Sequence, residues 1–277
     1  MVKIGIICPS EIALRRFMPA LQSAKEFEYS GIGIASPEEW FGERLKQTPG
    51  TEIQQQQKNE QKKAESFLSS FGGRCYNSYE ELLSASEIDA VYIPLPPGLH
   101  ARWSEIALRK GKHVMVEKPA TTSLADTEKL VRLSQERNLA LHENYMILFH
   151  SQLNAIEKLI ASGEIGEVRL YRINFGFPRR AINDFRYNRG LGGGALLDCG
   201  GYTLKYASHL LGKSAKLVAA KLNYSSEFEV DLYGSATMIN DAGSTVQIAF
   251  GMDNDYRCLL EVWGSKGTLS TNRVFTA

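Results

Sequence analysis

The chain has 277 residues, 43% of them apolar and 23% charged, a composition that can bury a substantial core and does not resemble a disordered segment. With 32 Lys and Arg against 31 Asp and Glu, the net charge is +1, so the basic surplus needed to bind a nucleic-acid backbone is absent. No apolar run approaches the roughly 20 residues that span a bilayer, and the apolar start over 2–8 is too short for a signal-peptide core. Cys8, Cys75, Cys199 and Cys258 lack the paired spacing of a disulfide framework or zinc site. These features predict a cytoplasmic enzyme or small-ligand binder of about two domains, with no metal, membrane or nucleic-acid partner.

The first half alternates short apolar runs with helical segments, as expected of βαβ units on a parallel sheet. Residues 2–8 read as a buried strand and 12–25 as the helix after it. Strands follow at 31–35, 89–94 and 112–116, with a helix over 100–110 that Gly111 ends. Between them, the polar stretch 40–63 suggests a solvated helix or mobile insertion. Ser123 is a good N-cap for a helix through Arg137, with Asp126 completing an acidic variant of the capping box. A last strand is expected over 139–146, and a helix from Ser151 to near Gly163, with Leu153, Ile156 and Ile160 on one stripe.

Beyond Gly166 the apolar period becomes two: Tyr171, Ile173, Phe175; Val218, Ala220, Leu222, Tyr224; Val246, Ile248, Phe250; Leu260, Val262. One helix over 195–211 interrupts what is otherwise a largely antiparallel sheet. The reading is an α/β protein: a Rossmann-type doubly wound domain over 1–122, to which the crossover helix and strand through about 146 return, then an α+β substrate and oligomerisation domain over 123–277.

In dinucleotide-binding domains a glycine-rich turn after the first strand lets pyrophosphate approach a helix N-terminus. Here that turn reads Cys8-Pro9-Ser10-Glu11-Ile12-Ala13, and only the last small residue fits the pattern well. A plain strand-to-helix turn is the competing reading. Ser10 has a hydroxyl to offer phosphate, and Arg15 and Arg16 a positive charge. After the second strand, Ser36 is compatible with a 2′-phosphate and opposes it with no charge of its own, which favours NADPH over NADH.

The runs Ile93-Pro94-Leu95-Pro96-Pro97-Gly98-Leu99-His100 and Gly111-Lys112-His113-Val114-Met115-Val116-Glu117-Lys118-Pro119 resemble the Gfo/Idh/MocA oxidoreductase family. So does Leu191-Gly192-Gly193-Gly194-Ala195-Leu196-Leu197-Asp198-Cys199-Gly200-Gly201-Tyr202. Within it, Ile12-Ala13-Leu14-Arg15-Arg16, Glu143-Asn144-Tyr145-Met146, Phe149-His150-Ser151-Gln152, Asp184-Phe185-Arg186-Tyr187 and Asn272-Arg273-Val274-Phe275-Thr276 are most similar to the nucleotide-sugar 3-ketoreductases. Dihydrodiol and aldose dehydrogenases share much of the pattern.

The resemblance implies an NAD(P)H-dependent reduction of a keto group on a nucleotide-linked sugar or similar compound, in a homo-oligomer. It places Cys8, Ser10, Glu11, Ile12, Ser36, Pro94, Leu95, His100, Glu117 and Lys118 at the cofactor. His150, Asp184, Arg186, Tyr187 and Tyr202 fall at the substrate, with Arg179, Arg180 and Arg189 as further candidates for a diphosphate. Lys118 and Tyr202 form the implied catalytic pair, a proton donor and an ammonium that eases its release, and Asp198 orients them or the substrate. The chain departs from the family at Cys8 and Ser10, at Pro97 where Asn is usual, and at Lys205 where Asn or Asp is frequent. It also ends early, at Ala277. Those departures leave a rival reading, a non-catalytic nucleotide or sugar-nucleotide binder that kept the fold.

Overall fold

In the computed structural model, which describes residues 1–276, the chain divides into two compact units, Met1–Asn144 and the remainder from Tyr145. The first unit contains a six-stranded parallel sheet built from β1 (Val2–Ile7), β2 (Phe27–Gly33), β3 (Arg74–Tyr76), β4 (Ala90–Ile93), β5 (His113–Glu117) and β6 (Leu141–Asn144). Their order is β3-β2-β1-β4-β5-β6. Ile6, Ile7, Ile93 and Val116 are fully buried, as strands covered on both faces by helices must be. The order reverses between β1 and β4, and at such a switch point the carboxyl ends of doubly wound strands open a crevice for ligands.

One layer of helices comprises α1 (Met18–Ser23) with its π-helical entrance Ala13–Phe17, and α3 (Gly50–Phe71). They pack on β1 and β2 through Ala13, Met18, Leu21, Ala64 and Phe67. The other layer, α4 (Tyr79–Ser84), α5 (Pro97–Arg109) and α6 (Leu124–Glu136), buries Leu82, Trp103, Ala107 and Leu130. The stretch 40–63, expected to be a solvated helix or a mobile insertion, is mostly helical and mostly exposed, and α3 docks on the sheet through residues just beyond it, Ala64 and Phe67. Glu60 is also fully buried within α3, and the 22-residue helix hides its apolar stripe among glutamines. A short helix, α2 (Pro37–Phe41), precedes it. The second strand begins at Phe27, earlier than the apolar run at 31–35 suggests, because its first residues, Phe27 and Glu28, are exposed.

The second unit opens with α7 (Ser151–Ala161) and contains β7 (Val168–Gly176), α8 (Gly201–Leu211), β8 (Lys216–Tyr224), β9 (Asp231–Ile239), β10 (Thr245–Gly251), β11 (Arg257–Gly264) and β12 (Thr268–Thr271). Its sheet runs β12-β11-β7-β10-β9-β8, antiparallel except for the parallel pair β10 and β7. Val246, Ile248 and Phe250 are buried with Tyr206, Ala207 and Leu211 of α8, while Gln247 and Ala249 face outward. The period of two thus separates a helix-covered face from an open one. The edge strand β8 departs from this: Leu217 and Val218 are both exposed, and its register to β9 shifts between Leu217 and Ala219. Among the described residues no helix is long and apolar enough to cross a membrane.

Candidate active site

In the first unit, the turn after β1 places Cys8 in the left-handed region, φ +80°, the conformation for which a glycine is ordinarily used. The Cys8 thiol lies beside the Tyr79 hydroxyl, and burial, with Glu60 nearby, pushes it up to about 12. It is thus a neutral wedge rather than a nucleophile, and what Cys8 presents to a ligand is backbone. Ser10 accepts from the Ala13 amide (3.2 Å) and its carbonyl receives Leu14 N (3.1 Å), so it caps the helix that follows. Glu11 and Arg15 pair with each other at 2.7 Å on the exposed side of that helix, so Arg15 is shared with a carboxylate rather than held for phosphate. Ile12 is also exposed there.

At the end of β2, Ser36 caps α2 through a complete capping box with Glu39, and its hydroxyl donates to Glu38 at 3.0 Å. The uncharged appearance of Ser36, which pointed to a 2′-phosphate, thus comes with a carboxylate attached.

Pro94 and Leu95 follow β4 and are buried. His100, expected at the cofactor, is fully buried. Its Nδ1 is 2.7 Å from the Pro119 carbonyl and its Nε2 is 2.6 Å from the Leu95 carbonyl. The ring thus sits between the loop after β4 and the loop after β5. Burial dominates and lowers its pKa, against the two carbonyls, so the ring is held neutral. Glu117, the last residue of β5, accepts from the Tyr92 hydroxyl and from Asn144 Nδ2, each at 2.6 Å. Lys118, half-buried, follows directly at the carboxyl end of the strand, and Glu143 accepts from Ala120 N at 2.9 Å. Lys118 therefore projects from a segment fastened on both sides. Tyr92 and Asn144, which do this fastening, carry no sequence signal of their own, although Asn144 lies within a run that resembles the family.

In the second unit, Arg186 is the hub. Asp184 accepts from the Arg186 amide (3.0 Å) and pairs with its guanidinium (3.2 Å), while Arg186 Nε reaches Asp198 at 2.5 Å. Burial works against its charge, but Asp198 and Asp184 outweigh it and hold Arg186 above the ordinary arginine value. The guanidinium also lies 4.6 Å from the ring centre of Phe185. The Tyr187 ring is buried and stacks on Phe228 at 4.3 Å, and its hydroxyl accepts from Arg180 N at 2.9 Å. Arg179 pairs with Glu227, so two of the four arginines in this stretch are committed to carboxylates. His150 caps α7, accepting from Gln152 N at 3.1 Å.

The segment before α8 is π-helical over Leu196–Gly200 and carries Asp198. One helical turn further, Tyr202 stands edge-on to Tyr145 and Phe175, both at 5.4 Å, with Phe275 at 5.7 Å. Three aromatic rings thus fix the phenol's plane. Lys205 Nζ lies 5.2 Å from the ring centre of Tyr145, which gives this departure from the family a place in the same cluster. No group of three or more metal-ligating side chains is present among the described residues.

A switch-point crevice with a helix N-terminus at its edge, together with a helix-backed mixed sheet, defines a dinucleotide-dependent α/β protein. The left-handed turn at Cys8 and the capped helix after it fit a dinucleotide's phosphates. Residues 30–145 match the oxidoreductase family with an NAD-binding Rossmann fold, and 153–270 match the Gfo/Idh/MocA C-terminal domain. The chain is 37% identical over 275 residues to the dTDP-3,4-didehydro-2,6-dideoxy-α-D-glucose 3-reductase of Saccharopolyspora spinosa, covering 99% of this chain and 76% of that one. It is 30% identical to a D-xylose 1-dehydrogenase (NADP+) of Haloferax volcanii, covering 98% and 76%. Among solved structures, a 3-ketoreductase from Actinomadura kijaniata in complex with NADP and TDP-benzene superposes with a TM-score of 0.87 at 36% identity, covering 99% of this chain and 77% of that one. That enzyme is also solved with one tyrosine or one lysine replaced. The chain belongs to the Gfo/Idh/MocA family of oxidoreductases.

Proposed function

We propose that the protein is an NAD(P)H-dependent ketoreductase acting on a nucleotide-linked keto sugar. The observation that carries this reading is Lys118 and Tyr202, each in a braced setting at the end of its own motif, in a chain that aligns over nearly its whole length with dTDP-sugar 3-reductases. In support, the lysine and tyrosine replaced in the Actinomadura enzyme are separated by the same number of residues as Lys118 and Tyr202.

A bound reduced nicotinamide supplies hydride to the carbonyl carbon. The protein's task is then to steady the oxygen and give it a proton. Lys118, as an ammonium, donates a hydrogen bond to the carbonyl oxygen and offsets the negative charge that grows on it. Tyr202 holds a proton at neutral pH and delivers it to that oxygen, its ring kept in one plane by Tyr145, Phe175 and Phe275. Asp198 acts through Arg186, keeping the guanidinium charged and fixed. The backbone at Cys8 and the helix capped by Ser10 would hold the cofactor's phosphates.

Single-turnover mixing of enzyme, reduced cofactor and a nucleotide-linked 3-keto sugar tests the assignment. Lys118→Ala and Tyr202→Phe are each expected to slow hydride transfer by about 10²-fold or more while cofactor fluorescence titrates as in the parent. Near-parental rates in both variants would remove both residues from the mechanism.

The proposal includes a cytoplasmic location and a homo-oligomer. The latter draws on the open face of the second sheet, where Tyr233, Ile239 and Trp263 are exposed, and on the neighbouring edge strand β8 with Leu217 and Val218. An uncovered apolar surface of this kind marks an interaction site.

A further inference from the structure

We infer that the ribose end of the cofactor site selects the unphosphorylated dinucleotide, NADH over NADPH, and that Glu38 is the discriminating residue; this rests on the cofactor reading above. The carboxyl end of β2 lies beside the phosphate turn: Ile7 pairs with Gly33, and Cys8 N donates to the Gly33 carbonyl at 3.1 Å. In this architecture an acidic side chain there accepts from the adenosine ribose hydroxyls, whereas a 2′-phosphate needs a basic one.

What the chain offers at that place is Ser36-Pro37-Glu38-Glu39. Within this turn the donors that a phosphate would seek are already used or missing. The Ser36 hydroxyl donates to Glu38 Oε2 at 3.0 Å, and the Ser36 amide donates to Glu39 Oε2 at 2.8 Å. The Glu39 amide donates to Ser36 Oγ at 3.3 Å, and Pro37 has no N–H. Glu39 cannot turn away, because its carboxylate also receives the amides of Tyr79 (2.9 Å) and Glu80 (3.0 Å) at the start of α4. On the neighbouring β3, Arg74 is paired with Glu81 at 3.0 Å, and on α3 Lys63 is paired with Glu60 at 3.0 Å, whereas Lys58 and Lys62 are exposed.

A 2′-phosphate would therefore meet two carboxylates, whereas a 2′-hydroxyl meets an exposed acceptor in Glu38. The Actinomadura relative is solved with NADP, so the inference separates this chain from it. Glu38 differs from Glu39 in being exposed and free of any structural duty beyond its bond to Ser36.

Equilibrium titration of the full chain with NADH and with NADPH, followed by nicotinamide fluorescence, tests this. The parent is expected to bind NADH at least about tenfold more tightly, equivalent to about 1.4 kcal/mol. Glu38→Gln, which keeps an acceptor for Ser36 but removes the charge, is expected to narrow the ratio chiefly by tightening NADPH; Glu38→Arg should invert it. Equal or tighter binding of NADPH by the parent overturns the inference and leaves the ketoreductase reading standing. A ratio unmoved by both substitutions also overturns it, as does an equal weakening of the two cofactors, the mark of a merely structural role. Failure to bind either cofactor at millimolar concentration overturns the cofactor reading and this inference together.

Discussion

At the residue scale, the side chains proposed to act are named by motif and their braces are not. Lys118, Asp198 and Tyr202 stand at fixed places in runs that resemble a family, so they are legible in the sequence. His100 is legible only as part of such a run, and its burial is not. Both its ring nitrogens face carbonyl oxygens, yet burial keeps the ring neutral, so its single N–H donates to one of the two carbonyls at a time. Protonation is opposed in the native state and free in the unfolded state. The unfolded chain therefore binds more protons once pH falls below the ordinary value of 6.5, and stability drops there. Denaturant titrations are expected to show a loss of stability from about pH 6.5 downward that His100→Gln reduces; an equal slope in that variant would clear His100 of the effect. Arg186 is a second case. Removing its guanidinium leaves Asp198, which is 13% exposed, with a lost charged partner. Arg186→Ala should cost about 1–3 kcal/mol in chemical denaturation, and an unchanged midpoint would contradict the pairing.

At the element scale, periodicity locates most of the strands and helices but not β3, β9, β12, α2 or α4, and the departures at α3 and β2 have physical causes. The helix α3 is legible only as one of two readings of a polar stretch, because its buried stripe, Ala64 and Phe67, is thin and sits among glutamines and lysines. The long first part of β2 escaped because it is exposed where the pattern expects burial. The glycine run before α8 is readable as a turn, but the reason for it is not. Gly194 has φ +115°, and a Cβ there would lie 2.4 Å from Asp231 Oδ1. The same carboxylate receives the Leu196 amide at 2.7 Å, and the Ala195 amide bonds the Asp231 carbonyl at 2.9 Å. Asp231, 35 residues away, therefore seats the segment that carries Asp198 and leads to Tyr202. Gly194→Ala combines backbone strain with this collision and is expected to destabilise the protein by about 1–3 kcal/mol and to reduce turnover. A thermal midpoint equal to the parent's would show that the seat is not needed.

At the scale of the whole molecule, the near-balance of charge has a local counterpart. With a net charge of only +1, no broad positive field draws phosphates in, so phosphate recognition depends on individual groups and helix ends. Several arginines expected to serve there are paired with carboxylates instead, Arg15 with Glu11 and Arg179 with Glu227. The doubly wound sheet, the mixed sheet and the order in which they occur follow from the change of apolar period near Gly166. Assembly is not written in periodicity, because an open sheet face and a solvated one alternate alike. Light scattering across the micromolar range is expected to give a mass above one chain, and a monomer throughout would refute the proposed homo-oligomer. The central claim, that this chain reduces a carbonyl rather than merely binding a nucleotide sugar, is tested most directly by isotope transfer. Enzyme is incubated with nicotinamide cofactor deuterated at the transferring position and a nucleotide-linked 3-keto sugar, and the sugar is analysed by mass spectrometry. The account predicts a reduced sugar carrying deuterium on the former carbonyl carbon, at a rate that falls in Lys118→Ala and Tyr202→Phe. Recovery of the keto sugar unreduced and unlabelled, from enzyme shown to bind the cofactor, would contradict it.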